Sequence, residues 1–234
     1  MVFGKRGRFR FFLGTFLLLA APVGAPAQHP HRGEPRLVVH EDAPCPADSD
    51  EEIVVCVRGA LTPDAQRLLH AVARCMVGHW PRDARNLLLL DLRGNDYHGA
   101  VRRFIDRHPG CTPRGTLRFG GLLFAGAVAE VLLRTFRDLP ERVAYQPSRP
   151  AIRVTNEPDL MSVCAVRNEA GEVAALLASM PASTAEERAV QALQPRLAAC
   201  LRAGLTAHFN RPGLRALLAL SAYRLVAHND GRDG

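Results

Sequence analysis

Lysine is almost missing from this chain, because Lys5 is its only lysine although arginine is abundant. The rest of the chain therefore cannot form a lysine Schiff base, a serine–lysine dyad or the lysine contact of a phosphate-binding P-loop. Serine is scarce as well, and none lies in the G-x-S-x-G sequence that marks the nucleophile of α/β-hydrolases. These absences exclude several common kinds of catalytic site.

Aromatic residues are also few, at 6%, whereas hydrophobic residues make up 47% of the chain and alanine and leucine are common. This composition favours helices over a β-sandwich. Beyond residue 27 no apolar stretch reaches the ~20 residues that a membrane-spanning helix needs. We therefore expect a mainly α fold, with no stable membrane span once the N-terminal segment is removed.

Residues 1–27 have the composition of a secretory signal peptide. Four basic residues between Lys5 and Arg10 precede an apolar run over residues 11–21, and Ala25-Pro26-Ala27 fits the small-x-small cleavage rule. Cleavage is expected between Ala27 and Gln28. The alternative is an uncleaved membrane anchor, but the apolar run is shorter than the ~20 residues that span a bilayer. The sequence therefore predicts a periplasmic or secreted protein.

Part of the formal net charge of +7 comes from residues 1–27. The chain has 30 Lys+Arg and 23 Asp+Glu, and four of the basic residues lie within residues 1–27. The remaining 26 basic and 23 acidic residues give a mature charge of +3. The basic residues are scattered, with no Lys/Arg block. We therefore predict no nucleic-acid partner.

All six cysteines follow the predicted cleavage site, and an even number in an exported chain predicts disulfide bonds. Two pairs have the same spacing of 36 residues, so the simplest pairing is Cys75–Cys111 and Cys164–Cys200, with Cys45–Cys56 by remainder. The alternative is a metal site, but there is no C-x-x-C sequence and no Cys/His cluster with zinc-finger spacing. We expect no metal and no cofactor.

The equal cysteine spacing indicates an internal duplication. A shift of 89 residues aligns Cys75 with Cys164 and Cys111 with Cys200, and a shift of 90 aligns later apolar residues. The predicted organisation is a signal peptide (1–27), an N-terminal segment with short β-like runs (28–61), helical repeat 1 (62–136), a linker (137–158), helical repeat 2 (159–228) and a C-terminal tail (229–234).

Each repeat is predicted to fold as a disulfide-stapled bundle of four short helices. Thr62 before Pro63 and Asn210 before Pro212 are typical N-cap signals. In repeat 2, Ser183 or Thr184 is expected to form a capping box with Glu186 or Glu187. The last helix of each repeat has apolar residues at helical spacing. The predicted fold class is therefore two tandem helical bundles.

The N-terminal segment contains two β-like runs, Leu37-Val38-Val39 and Ile53-Val54-Val55, separated by an acidic stretch. Short runs of β-branched residues on either side of a polar turn are typical of a hairpin. We expect a small hairpin there, closed by Cys45–Cys56.

Histidines and carboxylates form no catalytic or metal motif. His29, His31 and His40 lie in the N-terminal segment, and the other six histidines show no H-E-x-x-H sequence. Asp91 and Asp96 flank a loop of repeat 1, and a glycosidase pair stays open because such pairs are defined in space. We assign no catalytic, cofactor-binding or metal-binding residue.

Two arginine positions recur in both repeats: Arg107 aligns with Arg196, and Arg134 aligns with Arg224. One interpretation is that they bind an acidic partner. The other, which we favour, is that each holds a loop or helix end in place.

The run Ile53-Val54-Val55-Cys56, the Leu87-Leu88 pair after Cys75, residues 115–119 and the helix over residues 214–224 resemble a group of exported proteins. These come from GC-rich Gram-negative bacteria, carry a duplicated Cys-bracketed helical unit and have no established activity. The resemblance implies export and supplies no catalytic residues.

The leading hypothesis is a non-enzymatic binding or structural protein of the periplasm, whose partner is a protein or a cell-envelope component. The alternative is an envelope hydrolase with an unrecognised carboxylate or histidine site. A purely structural or stress-related protein without a single ligand is a third hypothesis.

Overall fold

In the computed structural model, the described residues are 35–40, 52–55, 62–90, 95–112, 120–149, 151–154 and 156–230. Most of them are helical, which confirms the predicted mainly α class. The strands are β1 Arg36–His40, β2 Glu52–Val55 and β3 Thr206–Asn210. The helices are α1 Pro63–His79, α2 Pro81–Leu88, α3 Asn95–Arg107, α4 Gly121–Leu133, α5 Leu139–Val143, α6 Glu157–Asn168, α7 Ala170–Ala178, α8 Thr184–Ala199 and α9 Arg211–Asn229, with a 3-10 turn at Pro109–Cys111.

The helix starts follow the capping signals of the sequence. The Thr62 side chain accepts a hydrogen bond from the backbone N–H of Ala65 at 3.2 Å, and Asn210 accepts one from Gly213 at 3.0 Å. Ser183 caps α8 by accepting from the N–H of Glu186 at 3.2 Å. Each cap satisfies a donor that the first helical turn leaves without a partner.

Helices α4 and α9 pack against each other along much of their length, with α1 on the outer side of α4 and α6 beside α9. Both central helices are buried on nearly all faces. Gly126 of α4 faces Ala216 of α9, and a Cβ built on Gly126 would lie 2.4 Å from the Cα and Cβ of Ala216. A glycine at position 126 therefore allows the two helix axes to come this close.

The described helices of both predicted repeats contribute to one continuous hydrophobic core, rather than one core for each bundle. Phe124 of α4 and Leu218 of α9 are both fully buried in it, as are Met76 of α1 and Met161 of α6. The boundaries of corresponding helices keep the expected offset. Helix α7 starts 89 residues after α2, α8 starts 89 after α3, and α9 starts 90 after α4. The duplication itself stays a prediction.

Both disulfide bonds predicted from the 36-residue spacing are present. Cys75–Cys111 ties α1 to the 3-10 turn after α3, with a Cα–Cα distance of 5.5 Å. Cys164–Cys200 ties α6 to the residue that ends α8, with a Cα–Cα distance of 5.7 Å. The predicted Cys45–Cys56 bond, the signal segment and the cleavage site between Ala27 and Gln28 lie outside the described residues.

The two N-terminal runs form strands, but they do not form the expected hairpin. Strands β1 and β2 both pair in parallel with β3, which lies between them, so that Leu37 and Ile53 flank Ala207 on its two sides. A hairpin needs antiparallel neighbours, and here a third strand separates the two. Ala207 and Phe209 of β3 are fully buried, so one face of this central strand packs into the hydrophobic core.

Within the described part of the chain, no helix combines the length and the apolar character needed to cross a membrane.

Candidate functional site

Four ionisable side chains meet inside the protein where α1, α4, α8 and α9 converge. They are His70, Glu130, Glu186 and Arg215, here called the Arg215 cluster. Glu186 is fully buried, and Glu130 and Arg215 are 1% and 3% exposed. Charged groups are rarely buried to this extent unless they are paired, so their contacts decide what the cluster can do.

Each of the three nitrogens of the Arg215 guanidinium donates at least one hydrogen bond. Nε and Nη2 donate to the two carboxylate oxygens of Glu130, each at 2.8 Å, in a fork-to-fork arrangement. Nη1 donates to Glu186 Oε1 at 3.0 Å and to the Ser179 hydroxyl at 3.1 Å. Nη2 also reaches the backbone carbonyls of Leu177 and Ser179. Burial opposes the charged form, yet hydrogen bonds and charge from the two glutamates keep the pKa of Arg215 above its ordinary value.

Glu186 also holds the turn between α7 and α8. Its second oxygen accepts from the backbone N–H of Ala182 at 2.8 Å, while its own N–H is bound by the Ser183 cap. Ala182 has a φ of 58°, in the left-handed region that residues with a side chain rarely adopt. The hydrogen bond from Ala182 to Glu186 therefore stabilises an unfavourable backbone conformation.

His70 lies at the edge of the cluster on α1. Its Nδ1 is 3.6 Å from Glu130 Oε1, which is too far for a hydrogen bond. The Nδ1 atom is therefore buried without a hydrogen-bond partner. Burial lowers the pKa of His70, the charge of Glu130 partly opposes this, and the charges of Arg215, Arg134 and Arg74 add to the lowering. The net pKa is about 4. His70 is therefore neutral near pH 7.

The space beside the Arg215 cluster is very small. A cavity of about 20 Å³ is lined by Gln66, His70, Gly126, Glu130 and Arg215, among others. That volume holds about one water molecule, whereas ligand pockets span roughly 300–1,000 Å³. The cluster thus ties α4, α9 and the turn before α8 together and has no room for a substrate.

A larger open site lies on the surface, on both sides of residues 151–154, and we call it the split groove. One half, of about 400 Å³, has Tyr145, Leu160 and Val163 in its lining. The other half, of about 560 Å³, has Leu89 and Tyr223. Ala151 and Ile152 line both halves. Residues 151–154 therefore form a ridge between a largely apolar depression and a second depression with a mixed polar and apolar lining.

Apolar side chains remain accessible in the split groove. Tyr145 is 61% exposed, Leu89 55% and Leu160 41%. Large exposed apolar side chains that cluster around a depression mark a binding surface, whereas single ones need no explanation. Two hydrogen bonds hold in place the backbone that forms the walls of the split groove. The Tyr145 N–H donates to the Arg167 carbonyl at 3.0 Å, and Arg224 Nη2 donates to the Arg153 carbonyl at 2.8 Å.

Three of the four recurring arginines hold structural elements in place. Arg134 pairs with Glu130 at 3.1 Å, and Arg196 pairs with Glu169 next to the end of α6. Arg224 pairs with Asp159 at 3.3 Å and binds the ridge carbonyl described above. Arg107 lies exposed at the end of α3.

The described histidines and carboxylates form no group of three or more that could hold a metal ion. His108 instead stacks on Trp80, with ring centroids 3.5 Å apart, beside Phe104. Asp96 is exposed on α3, whereas Asp91 lies outside the described residues, as do His29 and His31.

Sequence reasoning singled out Glu186 and Arg134, but it missed Glu130 and Arg215 as partners. A usable signal was present, because each of these two residues interrupts an otherwise apolar helix face (A-V-A-E-V-L-L and G-L-R-A-L-L). A charge in such a setting has to find an opposite charge inside the fold. The split groove left no comparable signal, since its lining comes from five separate segments of the chain.

Comparison of the sequence with protein-family models, with curated proteins and with solved structures gives no match. The resemblance to exported bacterial proteins therefore stays a prediction, and the function has to be argued from the geometry.

Proposed function

We propose that this chain is an exported, non-enzymatic binding protein of the periplasm, and that the split groove holds an apolar segment of a protein partner. The observation that carries the proposal is the groove itself. It places exposed Tyr145 and Leu160 at an open, largely apolar depression and exposed Leu89 at a second depression with a mixed lining.

The residue types at the split groove support binding of a protein partner. Tyrosine and arginine are enriched among the residues that dominate protein–protein binding energies, and both line this groove. The halves are open depressions, whereas small-molecule sites enclose 70–90% of their ligand. An open apolar surface of this kind suits a chain segment that lies along it.

The Arg215 cluster supports a non-enzymatic function. It contains several buried ionisable groups, including a histidine with a lowered pKa, and such groups are the usual candidates for catalysis. Here, however, the adjoining cavity holds about one water molecule. We therefore do not extend the envelope-hydrolase hypothesis to this cluster.

Location in an oxidising compartment is supported by two disulfide bonds in the described residues. Removal of residues 1–27 and a common origin of the two helical repeats are parts of the same proposal. Mass spectrometry of the exported protein tests the first part directly. A mature chain that starts at Gln28 is expected, and a chain that keeps Met1 in the cytoplasm would contradict export.

The binding proposal is tested by selecting peptides from a random 12-residue display library on the oxidised protein. Selected peptides are then measured by fluorescence anisotropy against Tyr145→Ser and Leu160→Ser. Met180→Ser is the matched control, because Met180 is 64% exposed and lies outside the groove lining.

We expect each groove variant to weaken binding about tenfold, the usual effect of removing one well-placed apolar anchor worth ~1.4 kcal/mol, with Met180→Ser unchanged. Failure to select any peptide, or equal loss in the groove and control variants, would contradict the proposed function.

A further inference from the structure

The charged residues described in the lining of the split groove are all arginines. Arg167 lies in the lining of the half that contains Tyr145, and Arg153 and Arg224 lie in the lining of the other half. Among the described residues, no aspartate or glutamate lines either half. The groove therefore combines apolar side chains with arginine side chains.

Arg153 has the most suitable position for contact with a partner. It is exposed on the ridge between the two halves, and its side chain pairs with no carboxylate of the described residues. Arg224 is already held by Asp159 and by the Arg153 carbonyl. The Arg224 contact fixes the backbone of the ridge, and Arg153 is left to carry its charge into solvent.

Residues 151–154 belong to no helix or strand, and Ile152 is buried between exposed Ala151 and Arg153, an alternation that is typical of an extended segment. Among the described residues, its backbone takes part in one hydrogen bond, the one that Arg224 donates. Extended backbone with unpaired N–H and C=O groups is the surface that an extended peptide recognises by strand addition. A lipid chain has no groups that could pair with it.

We propose that the occupant of the split groove is an extended peptide segment of a partner protein, in which apolar side chains alternate with aspartate or glutamate. The apolar side chains fill the two depressions, and the carboxylates face Arg153. This inference rests on the proposed function and adds the chemistry of the partner to it.

The test uses three synthetic decapeptides with the same alternating leucine and valine positions. Their remaining positions are all glutamate, all glutamine or all lysine. Binding to the full oxidised protein is measured by fluorescence anisotropy at 50 and 300 mM NaCl, for the unchanged chain, Arg153→Glu and Arg102→Glu. Arg102 is exposed on α3 outside the groove lining, and its variant makes the same change in net charge.

The glutamate peptide is expected to bind about fivefold to tenfold more tightly than the lysine peptide at 50 mM NaCl, with a smaller ratio at 300 mM. Arg153→Glu is expected to remove or reverse this preference, and Arg102→Glu to keep it.

Equal binding of all three peptides would overturn the inference but leave the proposed binding function intact. Absence of peptide binding would overturn both. Vesicles of phosphatidylglycerol and phosphatidylcholine form a fourth arm, and binding to them without peptide binding would assign the groove to an anionic lipid surface instead. Circular dichroism of each variant shows whether the fold is kept.

Discussion

At the scale of single residues, the Arg215 cluster concentrates charge in a place where the rest of the core is apolar. Removing one partner of a buried ion pair is costly, since it leaves the other charge without compensation. Arg215 depends on two carboxylates, and Glu130 provides two of its shortest hydrogen bonds. The free energy of unfolding should therefore respond strongly to Glu130.

Glu130→Gln keeps the shape of the side chain and removes its charge. We expect it to lower the free energy of unfolding by about 3 kcal/mol, the lower end of the range for breaking a buried pair. Urea denaturation followed by circular dichroism measures this loss. Glu172→Gln on the exposed face of α7 is the control and should change stability by less than about 0.5 kcal/mol. Equal effects of the two substitutions would show that the buried pair does not stabilise the fold.

His70 makes stability depend on pH. Its pKa is about 4 in the folded protein and about 6.5 in the unfolded chain, so the unfolded chain binds the proton first as pH falls. The free energy of unfolding therefore has its full value, with respect to His70, above about pH 6.5. It decreases as the pH falls towards about 4.

Between pH 7 and 4.5, the unchanged protein should therefore lose about 2 kcal/mol more unfolding free energy than His70→Gln does. Urea denaturation at both pH values measures the difference. His98→Gln, at an exposed site on α3, should lose as much as the unchanged protein. If His70→Gln shows the same pH dependence as the unchanged protein, His70 is not buried in its neutral form.

Side-chain interactions could be predicted from the sequence where both partners lie close together in the chain. Thr62, Ser183 and Asn210 cap helices as expected, because a cap and its N–H lie three residues apart. The pairing of Glu130 with Arg215 joins residues 85 positions apart, and nothing local specifies it. The sequence could only show that each charge needs a partner.

At the scale of helices and strands, the α4–α9 contact depends on small side chains. Gly126 lies against the backbone of Ala216, and backbone atoms cannot move aside as a flexible side chain can. Helix propensity favours alanine over glycine, but close packing at this crossing reverses the preference.

Gly126→Ala is expected to destabilise the protein by about 2–3 kcal/mol, because the added methyl group must push the two helices apart. The matched control is Gly171→Ala in α7, where an added Cβ meets no atom within 4 Å. The control should be neutral or stabilising by up to about 1 kcal/mol. Thermal denaturation of both variants compares them, and a stabilising effect of Gly126→Ala would contradict the tight helix crossing.

The sequence predicted most elements but not how the strands combine. The runs Leu37-Val38-Val39 and Ile53-Val54-Val55 are strands, since β-branched residues favour extended backbone. Their pairing was mispredicted because β3 lies between two helical segments and is short. A partner more than 150 residues away cannot be inferred from local periodicity.

At the scale of the whole molecule, the shared core should make the described helices unfold together. Trp80 is the only tryptophan and lies in the first predicted repeat, so its fluorescence reports on that half of the chain. The Cys164–Cys200 bond lies entirely in the second half. A perturbation there reaches Trp80 only if the two halves are energetically coupled.

The double variant Cys164→Ser/Cys200→Ser should lower the stability by about 3–4 kcal/mol, from the entropy of opening a 36-residue loop. We expect the urea midpoint of Trp80 fluorescence to fall together with that of far-ultraviolet circular dichroism. A Trp80 transition that stays at its original midpoint would show two independent bundles, as the sequence alone indicated.

The order in which the strands are synthesised determines when the parallel sheet can form. Leu37 of β1 pairs beside Ala207, and Ile53 of β2 pairs on its other side. Ribosomes make the chain from the N-terminus, so the two outer strands are complete long before the strand that joins them exists. The described disulfides, in contrast, each close a 36-residue loop and need only nearby chain. The sheet therefore cannot form before residues 206–210 have been made, and a chain truncated before β3 lacks the strand with which both β1 and β2 pair.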